Sequence, residues 1–238
     1  MFECKFKFKI LTVLKAQETG LLQNGDEPYF VFFGLRSRFG VPDSTRVFWS
    51  GYLNDHWARG SHDGSSRNIP RQMGILTFPE VMPVNNLQLL GGSLPEVVGV
   101  VGIAMESDGT EFEVFRNVMR HVHDAIHEAV GRQVEETEIK MDDPYLDIIN
   151  AVTSLQDRLN MTTREKINSL LNTRFKTDDL IAAQARICLA GDQEVKSRMP
   201  ELEILETKNI HMDFSGKNAI YRVSGFMEIA PEQTAEPA

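Results

Sequence analysis

The sequence predicts an α+β protein: an antiparallel β-sandwich interrupted by a three- or four-helix segment and closed by a C-terminal β-hairpin. Three observations carry this expectation. Apolar residues alternate with period two through the first 105 residues, the period changes to about 3.6 after a turn at 107–110, and alternation returns beyond Pro200.

Strands are expected at residues 6–14, 29–36, 46–53, 72–78 and 97–105, each rich in β-branched or aromatic residues. The first opens as Lys5-Phe6-Lys7-Phe8-Lys9-Ile10, an amphipathic strand whose lysines line a wet face. Phe32 and Phe33 are neighbours in the second strand and must point to opposite faces. That strand is therefore covered on both sides, for which a helical layer would account, or it presents one aromatic to a partner. The separators at 20–28, 39–45, 54–71 and 79–95 are rich in Gly, Pro, Asn, Asp or Ser and read as loops.

Phe112, Phe115, Met119, Val122, Ile126 and Ala129 then recur at helical spacing, predicting a helix to about Arg132. Asp143 and Pro144 read as N-cap and first residue of a second helix, with Ile148, Ile149, Val152, Leu155 and Leu159 on one stripe. Thr162 followed by Glu165 has capping-box form and predicts a third, and residues 180–189 read as a fourth. The closing hairpin sets Ile210, Met212 and Phe214 against Tyr221, Val223 and Met227. The expected organisation is a β-sandwich-like part at 1–106, a helical segment at 107–191, C-terminal strands at 192–229 that rejoin the sheet, and a disordered tail at 230–238.

With 42% apolar and 25% charged residues, a chain of 238 residues can bury a core without an external staple. Cys4 and Cys188 match no paired motif and read as buried free thiols in a reducing compartment. The alternation at the start is unlike a secretory signal, and the longest apolar run, 97–105, falls far short of the ~18 residues a spanning helix requires. A cytoplasmic protein with no transmembrane span is expected. Net charge is −9, with 10 Lys/Arg against 9 Asp/Glu in residues 1–100 and 15 against 25 thereafter. Such acidity argues against nucleic-acid binding.

No Walker A loop, dinucleotide fingerprint or G-x-S-x-G elbow is present, which leaves metal chemistry and binding. His123 and His127 have the i, i+4 spacing that lets two imidazoles share a zinc ion, though Arg116 and Arg120 lie beside them, and Arg120 is placed to pair with Asp124. Asp55-His56 and His62-Asp63 in the polar stretch supply a second candidate set. Either set would serve a metal-dependent hydrolase. If alternate loops share one end of the sandwich, Asp26, Glu27, Asp55, Asp63, Glu106 and Asp108 gather there as oxygen ligands for a hard cation.

The segment from Ile10 to Phe33, an apolar strand, a polar turn and Gly25-Asp26-Glu27-Pro28-Tyr29 entering the next strand, resembles the opening of C2 domains. The resemblance rests on Pro28 and Tyr29, with Asp26 and Glu27 in place of that family's Ser-Asp. It implies a β-sandwich whose loop aspartates bind Ca²⁺. The chain departs from the family in lacking a second aspartate-rich loop and in its helical segment. Together these readings describe a non-enzymatic binding or assembly protein whose loops engage a cation, a membrane surface or a protein partner. The alternatives are the hydrolase and a membrane-acting effector that exposes its amphipathic helices.

Overall fold

The computed structural model describes residues 1–16, 27–50, 57–106, 112–140, 142–174 and 179–232. In chain order the strands are β1 (Phe2–Lys15), β2 (Pro28–Arg38), β3 (Arg46–Trp49), β4 (Ser66–Asn68), β5 (Ile75–Val81), β6 (Glu96–Glu106), β7 (Asp179–Leu189), β8 (Glu203–Ile204), β9 (Lys208–Gly216) and β10 (Ala219–Pro231). The helices are α1 (Arg71–Gly74), α2 (Asn86–Leu90), α3 (Phe112–Val130), α4 (Pro144–Arg174) and α5 (Gln193–Arg198), and a π-helical turn, Gly131–Glu135, extends α3.

Two five-stranded sheets face each other. The outer sheet runs β4-β1-β10-β9, with β5 also on β1; the inner runs β3-β2-β6-β7-β8, antiparallel except at the short β7–β8 pair. Aromatic side chains fill the space between them. Phe8 of β1 stacks on Phe32 of β2 at 4.5 Å between ring centroids, and Phe30 meets Phe214 edge-on at 5.3 Å. Gly102 makes room for this layer, since a Cβ there would lie 2.8 Å from the Phe214 ring.

The helices cover the other face of the inner sheet. Phe115, Met119, Val122 and Ile126 of α3 and Ile148, Leu155, Leu159 and Ile167 of α4 share a second core with Tyr29, Val31, Phe33 and Leu35 of β2. The adjacent Phe32 and Phe33 thus belong to different cores, both fully buried. Every residue of β6 is buried, as expected of a strand between two layers. The apolar stripes of the helices are core.

Several expectations need correction. Residues 180–189 form strand β7, paired with β6 along its length, and not a fourth helix; a short, mostly apolar stretch interrupted only by Gln184 and Arg186 has no decisive period, and the pairing with β6 decides it. The capping-box pattern at Thr162 opens no new helix, because α4 continues through it for 31 residues. The predicted start of α4 holds, with Asp143 Oδ1 accepting from the Leu146 amide at 3.4 Å. The polar stretch 54–71 contains β4, which pairs with β1, and 79–95 contains α2, opened by an Asn85/Gln88 capping box. Residues 72–78 divide between α1 and β5.

The C-terminal hairpin forms in the expected register, Phe214 opposite Tyr221 and Met212 opposite Val223. Lys217 and Asn218 both take positive φ, the signature of the two-residue turn that matches strand twist. The hairpin rejoins the first sheet, β10 lying beside β1 with Phe2 opposite Pro231. Ala230 and Pro231 belong to β10, and residues 233–238 lie outside the described residues.

Candidate functional site

One end of the sandwich gathers the described members of the acidic set. Pro28 at the start of β2 is opposite Glu106 at the end of β6, so Glu27 and Glu106 lie at the same end. Glu27 pairs with Arg59 at 2.6 Å. Asp63 Oδ1 accepts the Ala16 amide at 2.6 Å just beyond β1, and Glu106 is buried. Asp26, Asp55 and Asp108 lie outside the described residues. Among the described residues no three His, Cys, Asp or Glu side chains come together as a metal site.

The ring nitrogens of His123 already have protein partners. His123 Nε2 faces the Val47 carbonyl at 3.0 Å, its Nδ1 faces Asp124 Oδ1 at 3.0 Å, and its ring meets Trp49 edge-on. Both ring nitrogens are therefore turned toward acceptors of the protein. Asp124 faces this ring, where the sequence had suggested Arg120 for it. His127 stands 6.5 Å from His123, ring to ring. His62 Nδ1 lies 3.3 Å from the Gly60 carbonyl, and His56 is outside the described residues.

A third arrangement emerges only in three dimensions, on the outward face of the outer sheet. On β1, Phe6 and Phe8 point into the sandwich, so Lys5 and Lys7 point out; the register then skips Lys9. This bulge shifts the phase of the strand. Leu11 and Val13 turn inward, and Ile10 and Leu14, 43% and 45% exposed, turn out. Simple alternation would have placed Ile10 in the core. Opposite the bulge, Gly225 lies so close to β1 that a Cβ would fall 2.0 Å from the Lys7 carbonyl oxygen.

The bulge leaves Lys7 and Lys9 over a single ring. Their Nζ atoms sit 5.1 and 4.4 Å from the centroid of Phe226, within cation–π range. Arg71 of α1 joins them, lining with Lys7, Lys9, Ile75 and Phe226 a depression of about 460 Å³. Lys5, Lys7, Arg71 and Ile75 border an adjacent one of about 420 Å³.

Among the described residues the face carries three ion pairs, Lys5–Glu3, Lys7–Glu228 and Arg222–Asp213. The Lys7 ammonium beside Glu228 holds that carboxyl below its ordinary range, and the Arg222 guanidinium does the same to Asp213. Lys9 and Arg71 have no carboxylate partner among the described residues, so the face is locally positive on a chain of net charge −9. The lysines of β1 were legible in the sequence as a wet face. Arg71 was not, because no local pattern says that α1 will lie beside Lys7.

Comparison with protein-family models, curated proteins and solved structures finds no match to this chain. Its class rests on its own architecture: a three-layer β-β-α protein whose outer sheet presents a basic, partly apolar face. No described helix is long and apolar enough to cross a membrane.

Proposed function

We propose that this is a non-enzymatic binding protein that docks the outward face of its outer sheet on an anionic membrane surface. The observation that carries the reading is the composition of that face. Lys7, Lys9 and Arg71 line one depression with Phe226, Lys5 borders the adjacent one, and Ile10 and Leu14 are exposed further along β1. Cations near an anionic leaflet contribute about 1 kcal/mol each, and exposed apolar side chains add burial at the headgroup boundary. The acidic remainder of the molecule is repelled from the same leaflet and so orients the basic face toward it. A few kcal/mol supports reversible, peripheral association. The amphipathic helices take no part, since their apolar stripes are committed to the core.

The test is co-sedimentation with phosphatidylcholine vesicles and with vesicles containing phosphatidylserine. Binding is expected only to the latter, weakened by salt and lost in Lys7→Glu/Lys9→Glu. Equal binding to both vesicles, or none to either, would overturn the reading.

A further inference from the structure

Where the inner sheet extends beyond β5, three arginines crowd onto one face. Arg36 and Arg46 are directly opposite each other across the β2–β3 pair, and Arg38 follows Arg36 by two residues on the same face. Like charges directly opposite in a sheet are destabilising. The only acidic residue in the group is Glu96, opposite Arg38, and both its oxygens are occupied: Oε2 accepts from Arg36 Nε at 2.6 Å and Oε1 from the Met82 amide at 2.7 Å. Nearby Glu135 is likewise taken, by the amides of Asp43 and Thr45.

The three guanidinium groups differ in how far they are used. Arg36 is fully engaged, its remaining nitrogens donating to the carbonyls of Pro79 and Glu80. Arg46 donates through Nη1 alone, to the carbonyls of Asp43 and Thr45 at 2.8 Å. The Arg38 side chain has no partner among the described residues. Between them is a cavity of about 180 Å³ lined by Arg36, Ser37, Arg38, Ser44, Arg46 and Glu96. It offers spare cationic donors, while its one carboxylate and its two serine hydroxyls are already bonded, Ser44 to the Arg38 backbone and Ser37 to Thr45.

We infer that this cavity is a binding site for a phosphate-class oxyanion, held by Arg38 and Arg46. Guanidinium groups bind phosphate oxygens through paired hydrogen bonds, and an anion between Arg36 and Arg46 would convert their repulsion into shared attraction. A local conflict kept in an otherwise consistent sheet is characteristic of a functional position. The site is separate from the Lys7–Phe226 face and independent of membrane docking.

The experiment is thermal unfolding and calorimetric titration with inorganic phosphate, against potassium chloride of equal ionic strength. A saturable rise in melting temperature is expected in phosphate and not in chloride, because a ligand of the native state stabilises by mass action. Arg38→Gln/Arg46→Gln is expected to weaken phosphate affinity at least tenfold, with melting in chloride unchanged or raised; Lys7→Gln is expected to retain full affinity. A parallel titration with glycerol phosphate distinguishes the source, tighter binding assigning an esterified ligand and weaker binding free phosphate. Equal shifts in chloride and phosphate, or an undiminished shift in the double variant, would overturn the assignment.

Discussion

Arg36 of β2 grips Glu96 of the neighbouring strand β6 within the inner sheet, Nε to Oε2 at 2.6 Å, and the Glu96 side chain is 2% exposed. The same guanidinium donates to the Pro79 and Glu80 carbonyls at the end of β5, so Arg36 ties the outer sheet to the inner. Glu96→Ala would leave Arg36 Nε and the Met82 amide without an acceptor. A loss of about 1–3 kcal/mol is expected, the usual cost of leaving a buried polar group unsatisfied. Urea denaturation measures it, and a loss under 1 kcal/mol would show the clamp to be incidental.

Gly225 controls the bulge that presents Lys9. In Gly225→Ala the added methyl meets a backbone oxygen, which cannot swing aside as a side chain can. Destabilisation at the upper end of the roughly 1–3 kcal/mol usual for overpacking is expected, with a changed amide spectrum around residues 7–10. An unperturbed spectrum would mean that Gly225 is dispensable to the bulge.

Burial raises the Cys4 thiol to about 12; Cys188 is raised too, by burial first and then by the nearby Glu203 carboxylate. Both are protected from thiol reagents in the native state, and both should react on unfolding. The linkage has a definite sign. Below pH 9, the ordinary thiol value, neither state ionises and the contribution is fully present. Above it the unfolded chain loses its proton while native Cys4 does not, so stability falls by up to about 1.4 kcal/mol per pH unit until about pH 12. Cys4→Ser/Cys188→Ser should flatten that decline.

The two metal expectations separate in a melting experiment. Because both nitrogens of His123 face protein acceptors, Zn²⁺ should produce no shift that His123→Ala abolishes; the substitution itself should cost about 1 kcal/mol through the Val47 carbonyl. The C2 resemblance predicts instead a saturable Ca²⁺ shift lost in Asp26→Ala. A zinc shift abolished by His123→Ala would favour the hydrolase reading.

Where periodicity is long and one face is wet, the fold could be read directly, as in β1, α3 and the closing hairpin. Phe32 and Phe33 left double burial of β2 as one of two readings, and the helical layer decides it. Residues 180–189 were not, because a strand between two layers loses the alternation that distinguishes it from a buried helix. β4 and α2 are stabilised by pairing with β1 and by a capping box, in stretches whose composition says only loop. The candidate surfaces were less legible still. Arg71 meets Lys7, and Arg36 meets Arg46, only through packing and pairing that no local pattern encodes.

The pairing of Phe2 with Pro231 also sets an order in time. At roughly 5–20 residues per second, the ribosome needs tens of seconds to make the chain between these partners. The inner sheet and its helices have nearly all their sequence well before then, and β4 and β5 pair with one edge of β1 early, whereas its other edge must wait for β10. Such distant pairing slows folding and leaves an unpaired aromatic edge in the interval. The nascent strand β1 is therefore where a chaperone would be needed, and where aggregation would begin if synthesis stalled before residue 219.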